Sequence, residues 1–212
     1  MSKMTRVIAV FLGLALAGCA GGYDIAHENV VDNVARTSTW DAFGYCGGWG
    51  CSDHRDTGFT QQEWSEVAAH FSPGAQSAEQ ERQQIAHAIG AMEGFIGAKT
   101  GYDRDKGGTG GGIFQSGQLD CYSEAANTSS FLHLLNNAGL LRYHVPAEPI
   151  MRGIGSSKSW RPTHATATMT EFESGTRIAM DSWFYDNGTP AVYVEADTWA
   201  GAWGPDEGGA HF

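Results

Sequence analysis

The sequence predicts an α+β fold in which a helix that carries a cysteine packs against an antiparallel β-sheet that carries a histidine and an aspartate. Apolar residues recur at helical spacing between residues 60 and 138, and apolar and polar residues alternate in several segments after residue 140. A chain of 212 residues, 42% of them hydrophobic, is long enough for one well-packed core and too short for two. We therefore expect a single globular domain over residues 40–212.

Capping-box motifs mark the starts of the first two predicted helices. Residues 60–63 (TQQE) precede a short apolar face, which residues 72–74 (SPG) end. Residues 77–80 (SAEQ) open a longer segment. Its apolar stripe consists of Ile85, Ile89, Met92 and Ile96. The spacing predicts a short helix followed by a long one.

The third predicted helix carries Cys121 in its first turn. Asp120 suits the N-cap position because its carboxylate can accept hydrogen bonds from the free N–H groups there, and Gly139 lies near the helix end. The apolar face consists of Phe131, Leu134, Leu135 and Ala138. The helix dipole and the free amide groups of a first turn favour a thiolate.

Strands are predicted after this helix. The four segments are residues 140–146, 164–172, 176–184 and 190–196.

The second and third of these strands form a predicted hairpin, and its register has two alternatives. Pairing centred between Phe172 and Glu173 would set His164 directly opposite Asp181 on one face of the sheet. Centring on the glycine of the turn would stagger the two residues. The pattern does not choose between these registers.

The first 18 residues have the layout of a secretory signal peptide, with a basic start at Lys3 and Arg6 and an apolar run too short for a permanent membrane span. Residues 16–19 (LAGC) resemble the lipobox of bacterial lipoproteins, in which the cysteine, here Cys19, becomes the lipidated first residue. Ala20 then implies sorting to the outer membrane. We expect a signal peptide over residues 1–18 and a lipid anchor and tether over residues 19–39. An ordinary signal peptide with an incidental cysteine is the alternative.

The net charge of −11 argues against one class of partner. An acidic surface repels nucleic acid phosphates and anionic lipid head groups, so we expect no nucleic-acid binding, and membrane contact only through the lipid anchor.

Export to an oxidising compartment favours disulfide formation. Cys46 and Cys51 enclose a flexible GGWG loop, and we expect them to form a disulfide. A metal site that includes His54 is the alternative, although no fourth ligand is evident and we expect no metal. With Cys19 lipidated, Cys121 is the remaining free thiol.

Cys121, His164 and Asp181 are candidates for a catalytic triad. A thiol attacks an acyl carbon as the thiolate, so it needs an imidazole to take its proton and a carboxylate to fix the tautomer of that imidazole. Each residue also has an ordinary interpretation, such as a buried packing cysteine or a strand histidine satisfied by local hydrogen bonds. It is the combination that favours catalysis. Gln118 or Gln115 could add a side-chain donor to an oxyanion hole.

The glycine-rich segment 101–112 lacks the ending of a phosphate-binding loop, so we interpret it as a flexible loop.

Several of these segments resemble bacterial transglutaminase-like cysteine peptidase-type proteins of the papain-like superfamily. The segments are residues 117–121 (GQLDC), Asn127-Thr128, Leu140-Leu141, Arg152-Gly153, His164, and residues 180–184 (MDSWF) with Asn187-Gly188. The resemblance covers roughly residues 60–200 and implies a papain/transglutaminase-like core. It also implies that Cys121 is the nucleophile, His164 the general base and acid, and Asp181 the residue that orients His164. Ala165-Thr166 follows the histidine, where eukaryotic transglutaminases often have an aromatic residue.

We therefore expect an envelope lipoprotein of the outer membrane, facing the periplasm, that performs thiol-mediated acyl transfer. Hydrolysis of an amide or peptide bond in an envelope protein or cell-wall peptide is the default reaction, and it needs no cofactor. One alternative is a catalytically inactive module that binds peptides or has a structural role. Another is a redox or metal protein built on Cys46, Cys51 and His54.

Overall fold

The computed structural model describes residues 39–108, 115–153, 163–201 and 203–205. The predicted signal peptide, Cys19 and all of the predicted tether before residue 39 lie outside these residues. Within the described ranges, no helix combines the length and the apolar character needed to cross a membrane.

The architecture is mixed helix and antiparallel sheet, which confirms the predicted α+β class. A two-stranded hairpin comes first, with strands β1 (Phe43–Gly47) and β2 (Asp53–Thr57). Three helices follow: α1 (Gln61–Ala69), α2 (Ala78–Thr100) and α3 (Cys121–Asn137). A sheet in the order β3-β4-β5-β6 completes the fold, with strands β3 (His144–Arg152), β4 (His164–Glu171), β5 (Arg177–Asp181) and β6 (Val192–Glu195). A short helix, α4 (Ala196–Ala200), follows β6 directly.

The helix caps form largely as the sequence predicts. At the start of α1, the Thr60 hydroxyl accepts from the Glu63 N–H and the Glu63 carboxylate accepts from the Thr60 N–H, which is a complete capping box. At the start of α2 only half of the box forms, because the Gln80 side chain accepts from the N–H of Gln76 and not from that of Ser77. Gly101 caps the C-terminal end of helix α2, and its left-handed conformation (φ 85°) suits glycine.

Strand β3 lies later in the chain than predicted. It spans residues 144–152 instead of 140–146 and contains Pro146 and Pro149, which break the alternation expected of a strand. Proline is tolerated there because β3 is an edge strand, and its register shifts between Ala147 and Ile150. Strand β5 ends at Asp181, earlier than predicted, because the backbone N–H of Trp183 turns to donate to the Asp181 carboxylate.

The register of the β4–β5 hairpin falls between the two alternatives. Thr168 pairs with Ala179 and Ala167 with Met180. Continued by one pair, this register sets Asp181 opposite Thr166, so that His164 and Asp181 are diagonal neighbours on the same face and not directly opposed. The open end of the sheet, where β4 begins and β5 ends, therefore brings the two residues together.

Two apolar clusters cover the two faces of the sheet. The main core lies between α2, α3 and one face, and includes Ile89, Met92, Phe131, Leu135, Met169 and Met180. The smaller cluster on the other face consists of Ala179, Val192, Trp199 and Trp203. Helix α4 supplies Trp199, whose side chain is fully buried. The face that holds His164 and Asp181 is thus closed by α4.

The hairpin β1–β2 docks on α3 through one buried amide. Sequence reasoning missed this hairpin because β1 contains two glycines and β2 is wholly polar. Asn127 of α3 is 1% exposed; its Oδ1 accepts from the Cys46 N–H at 2.8 Å and its Nδ2 donates to the Cys46 carbonyl at 2.9 Å. One side chain thereby satisfies both backbone groups of a residue in another element.

We expect Asn127→Ala to lower the free energy of unfolding by about 2–4 kcal/mol, because it leaves a buried N–H and a buried C=O of Cys46 without partners. Chemical denaturation measures this change. Asn137→Ala, at an exposed position near the end of the same helix, is the control and should stay within about 0.5 kcal/mol of the wild type. Equal effects of the two substitutions would contradict the docking role.

Candidate active site

Cys121 is the first residue of α3, and the cap before it fixes its position. The Asp120 carboxylate accepts from the Ser123 N–H at 2.9 Å, as the sequence predicts for an N-cap. Its other oxygen accepts from the Gly50 N–H at 2.7 Å, which ties the loop between Cys46 and Cys51 to the start of the helix. The residue before the thiol thus anchors two elements.

His164 and Asp181 form a buried hydrogen-bonded pair. The distance from His164 Nε2 to Asp181 Oδ2 is 2.8 Å, and the two residues are 5% and 2% exposed. The Trp199 indole N–H also donates to Asp181 Oδ2, at 2.7 Å, and the Trp183 backbone N–H donates to Oδ1 at 3.2 Å. Since an ionised carboxylate only accepts, Nε2 must carry the proton of a neutral His164.

The sulfur of Cys121 lies against the backbone on both sides of His164. Its Sγ is 3.8 Å from the Thr163 carbonyl oxygen, and the Ala165 N–H donates to it. The remaining ring nitrogen of His164, Nδ1, is buried and has no hydrogen-bond partner among the described residues. The start of β4 therefore brings together the thiol and a histidine whose second nitrogen is available for a proton.

Aromatic rings surround the His164 imidazole. The centroids of Trp183, Trp199 and Phe184 lie 4.5, 5.3 and 5.5 Å from it. The Arg152 guanidinium lies 4.4 Å from the Trp199 ring centroid and donates to the Trp199 carbonyl, which holds that indole in place. Sequence reasoning missed Trp199, for which the sequence gives no signal, because the contact depends on how α4 folds back over the sheet.

The surroundings of the sulfur disfavour its ionisation. Burial raises the pKa of the Cys121 thiol to about 12, and the carboxylates of Asp120 and Asp181 act in the same direction. The N–H groups of Ala165 and of Cys121 itself oppose this rise in pKa but do not offset it. A thiolate at this site would need the positive charge of a protonated imidazole beside it.

The two glutamines proposed for an oxyanion hole occupy different environments. Gln118 Nε2 donates to the carbonyl groups of Arg104 and Gly117, so both of its amide hydrogens have acceptors. It would have to release one of them to bind an oxyanion. Gln115 is exposed. Much of the glycine-rich segment beside them, from residue 109 to residue 112, lies outside the described residues.

Cys46 and Cys51 form the predicted disulfide, and both are fully buried. The Ser123 hydroxyl of α3 accepts from the Cys51 N–H at 3.1 Å and donates to the Gly48 carbonyl at 2.9 Å. His54 has a ring nitrogen 3.6 Å from Cys51 Sγ, so the three side chains of the alternative metal site are adjacent. With the two sulfurs joined to each other, they are not thiolate ligands.

Comparison with protein-family profiles, with curated proteins and with solved structures finds no match for this chain. The resemblance to transglutaminase-like proteins therefore depends on the residues themselves.

A buried carboxyl group, Glu93, lies on the inner side of α2 behind this site. It is 3% exposed, and one of its oxygens, Oε1, has no hydrogen-bond partner among the described residues. Burial raises its pKa to about 8. Glu93 follows Ile89 and precedes Ile96 at helical spacing, which places a carboxyl group within the apolar stripe of α2. The sequence alone therefore indicated that Glu93 is buried.

We expect Glu93→Gln to flatten the pH dependence of stability. Because the folded-state pKa of Glu93 is raised to about 8 from an ordinary 4.5, its contribution to stability is complete below about pH 4.5 and is lost as the pH rises through about 8. The wild type should lose up to about 1.4 kcal/mol of unfolding free energy per pH unit in this range, and Glu93→Gln should lose less. Denaturation at several pH values measures the two slopes, with the exposed Glu173→Gln as control. Parallel curves for the wild type and Glu93→Gln would contradict the assignment.

Proposed function

We propose that this protein is a cysteine hydrolase of the transglutaminase-like type, which uses Cys121 to transfer an acyl group from an amide or peptide bond to water. The observation that carries the proposal is the arrangement at the start of β4. The thiol contacts the backbone on both sides of His164, and Nε2 of that histidine is hydrogen-bonded to Asp181. Nδ1 is buried and, within the part of the chain that the structure describes, has no hydrogen-bond partner.

The residues would act in the order that proton transfer requires. As Sγ bonds to the carbonyl carbon of the substrate, the thiol proton passes to Nδ1 of His164, and the Nε2–H bond to Asp181 stabilises the imidazolium. The imidazolium then protonates the leaving amine as the carbon–nitrogen bond breaks, leaving a thioester on Cys121. Water attacks the thioester, His164 takes its proton, and the carboxylic acid leaves as the thiol re-forms.

The aromatic surroundings of His164 suit this role. The face of an aromatic ring attracts a cation, and Trp183, Trp199 and Phe184 all lie close to the imidazole. These rings also exclude water, which would otherwise compete for the proton that passes to His164. A proton on His164 would supply the positive charge that a thiolate at Cys121 needs.

The proposed location is the outer membrane, with the domain facing the periplasm. The support is the sequence of residues 1–19 and the Cys46–Cys51 disulfide, which suits an oxidising compartment. The proposed substrates, envelope proteins or cell-wall peptides, follow from that location.

A second candidate is a catalytically inactive module that binds peptides at the same site. The raised pKa of the Cys121 thiol, about 12, favours it, because such a thiol is protonated at neutral pH unless His164 accepts its proton.

We expect the purified full-length chain to form a covalent thioester with p-nitrophenyl acetate. The acetyl group moves to Sγ and nitrophenolate leaves, so absorbance reports the reaction rate and intact-protein mass after acid quenching reports the adduct. Cys121→Ala should form no thioester at this position. His164→Ala should react at least ~100-fold more slowly, because it lacks the general base.

The control is His87→Ala, which replaces an exposed histidine and should react like the wild type. A folded wild-type protein without a thioester, or His164→Ala at the wild-type rate, would favour the inactive module.

A further inference from the structure

Three carboxyl groups are buried together behind the first two turns of α3. Glu93, Asp105 and Glu124 are 3%, 3% and 4% exposed, and they come from α2, the segment after it and α3. Among the described residues, no lysine, arginine or histidine forms an ion pair with any of these three carboxyl groups. Three neighbouring carboxylates without a cation cannot all be ionised, so the group must retain protons.

The surroundings of Glu124 favour its uncharged form. Burial raises its pKa well above the ordinary value, and Glu93 and Asp105 raise it further. Its hydrogen bond with Asp105 raises the pKa of Glu124 and lowers that of Asp105. These directions favour an uncharged acid at Glu124 beside a more acidic partner.

The same carboxyl groups connect the segments that carry the proposed triad. The Ser182 hydroxyl, next to Asp181, donates to Glu124 Oε2 at 2.8 Å, and Thr128 Oγ1 of α3 lies 3.0 Å from the same hydroxyl. Asp105 Oδ1 accepts from the Leu119 N–H at 2.7 Å, two residues before Cys121. Glu124 therefore lies between the end of β5 and the chain that leads into the cysteine.

We infer that Glu124 is a positioning residue for Cys121. As an uncharged acid, it joins α3 to the end of β5 through Ser182 and to the segment before the cysteine through Asp105. Ionisation of Glu124 weakens its hydrogen bond with Asp105 and places a negative charge one helical turn from the sulfur of Cys121. This inference rests on the proposed function and adds a regulation by pH to it.

The Ser182 hydroxyl is a neutral donor to Glu124, and the titratable groups around Glu124 are acids or phenols. Glu93 approaches from α2, Asp105 from the segment after α2, and Tyr45 from β1 with a buried hydroxyl that has no partner among the described residues. Asp120 is the N-cap of α3, one turn earlier. Two groups lie further out: Tyr102, and Asp186, which pairs with the exposed Lys106. Apart from the Ser182 hydroxyl, ionisation of Glu124 therefore meets like charge or none.

The test is the rate of alkylation of Cys121 by iodoacetamide, in which the sulfur displaces iodide, measured between about pH 6 and about pH 9. Mass spectrometry of the peptide that contains Cys121 keeps other cysteines out of the measurement. The full-length wild type is compared with Glu124→Gln, which keeps the shape and a donor but cannot ionise, and with Glu173→Gln as an exposed control.

We expect the Glu124→Gln rate to match the wild type within about twofold at about pH 6 and to exceed it at least fivefold at about pH 9, because only the wild type can gain a charge at position 124. A substitution that merely disturbed the structure would change the rate by the same factor at every pH. A constant ratio would therefore overturn the inference.

Two further variants complete the test. Should Glu124→Gln fail to fold, Asp105→Asn tests the inference instead. This substitution keeps an acceptor for the Leu119 N–H and removes a negative charge beside Glu124, so that Glu124 should ionise at a lower pH. The alkylation rate of Asp105→Asn should therefore fall below the wild-type rate from a lower pH, and an unchanged profile would overturn the inference.

His164→Ala separates the two proposals. If it alkylates as fast as the wild type, the proposed function fails and the inference fails with it. If it is slow while the profiles of Glu124→Gln and the wild type coincide, the inference alone fails.

Discussion

The hydrogen bonds of the Asp120 carboxylate determine where the Cys121 thiol lies. One oxygen caps α3 through Ser123 and the other holds Gly50 of the disulfide loop, so the residue before Cys121 is bound from two directions. Ser123 and Asn127 extend the same contact along α3. Because the thiol follows this anchored residue, the cap helps to set its position against β4.

An anchor made of a buried carboxylate has an electrostatic consequence. Burial raises the pKa of the Cys121 thiol to about 12, and Asp120 and Asp181, which position the cysteine and its histidine, act in the same direction. A site built in this way keeps the sulfur protonated until a base accepts the proton at close range. His164 is suited to be that base, since Asp181 fixes its orientation and aromatic rings surround it. The raised pKa of Glu124 favours its uncharged form, which avoids a further negative charge on the same helix.

The sequence predicted best what local chemistry determines. The α+β class, the caps at Thr60 and Asp120 and the disulfide are all present, because each depends on neighbouring residues. The sequence did not predict the β1–β2 hairpin or the full extent of β3. These strands contain glycine, proline or many polar residues, and their stability comes from tertiary contacts. In the site, the sequence identified Cys121, His164 and Asp181 as candidates. It could not give the register that makes the last two diagonal neighbours, or the indole of Trp199 on Asp181.

The most direct measurement of the central claim is the tautomer of His164, read from the ¹⁵N chemical shifts of its ring at about pH 8, where an ordinary imidazole is neutral. The account predicts a proton on Nε2, donated to Asp181, and an unprotonated Nδ1. Asp181→Asn should disturb this preference. A proton on Nδ1, or shifts indifferent to the loss of Asp181, would mean that His164 cannot accept the thiol proton in the manner described.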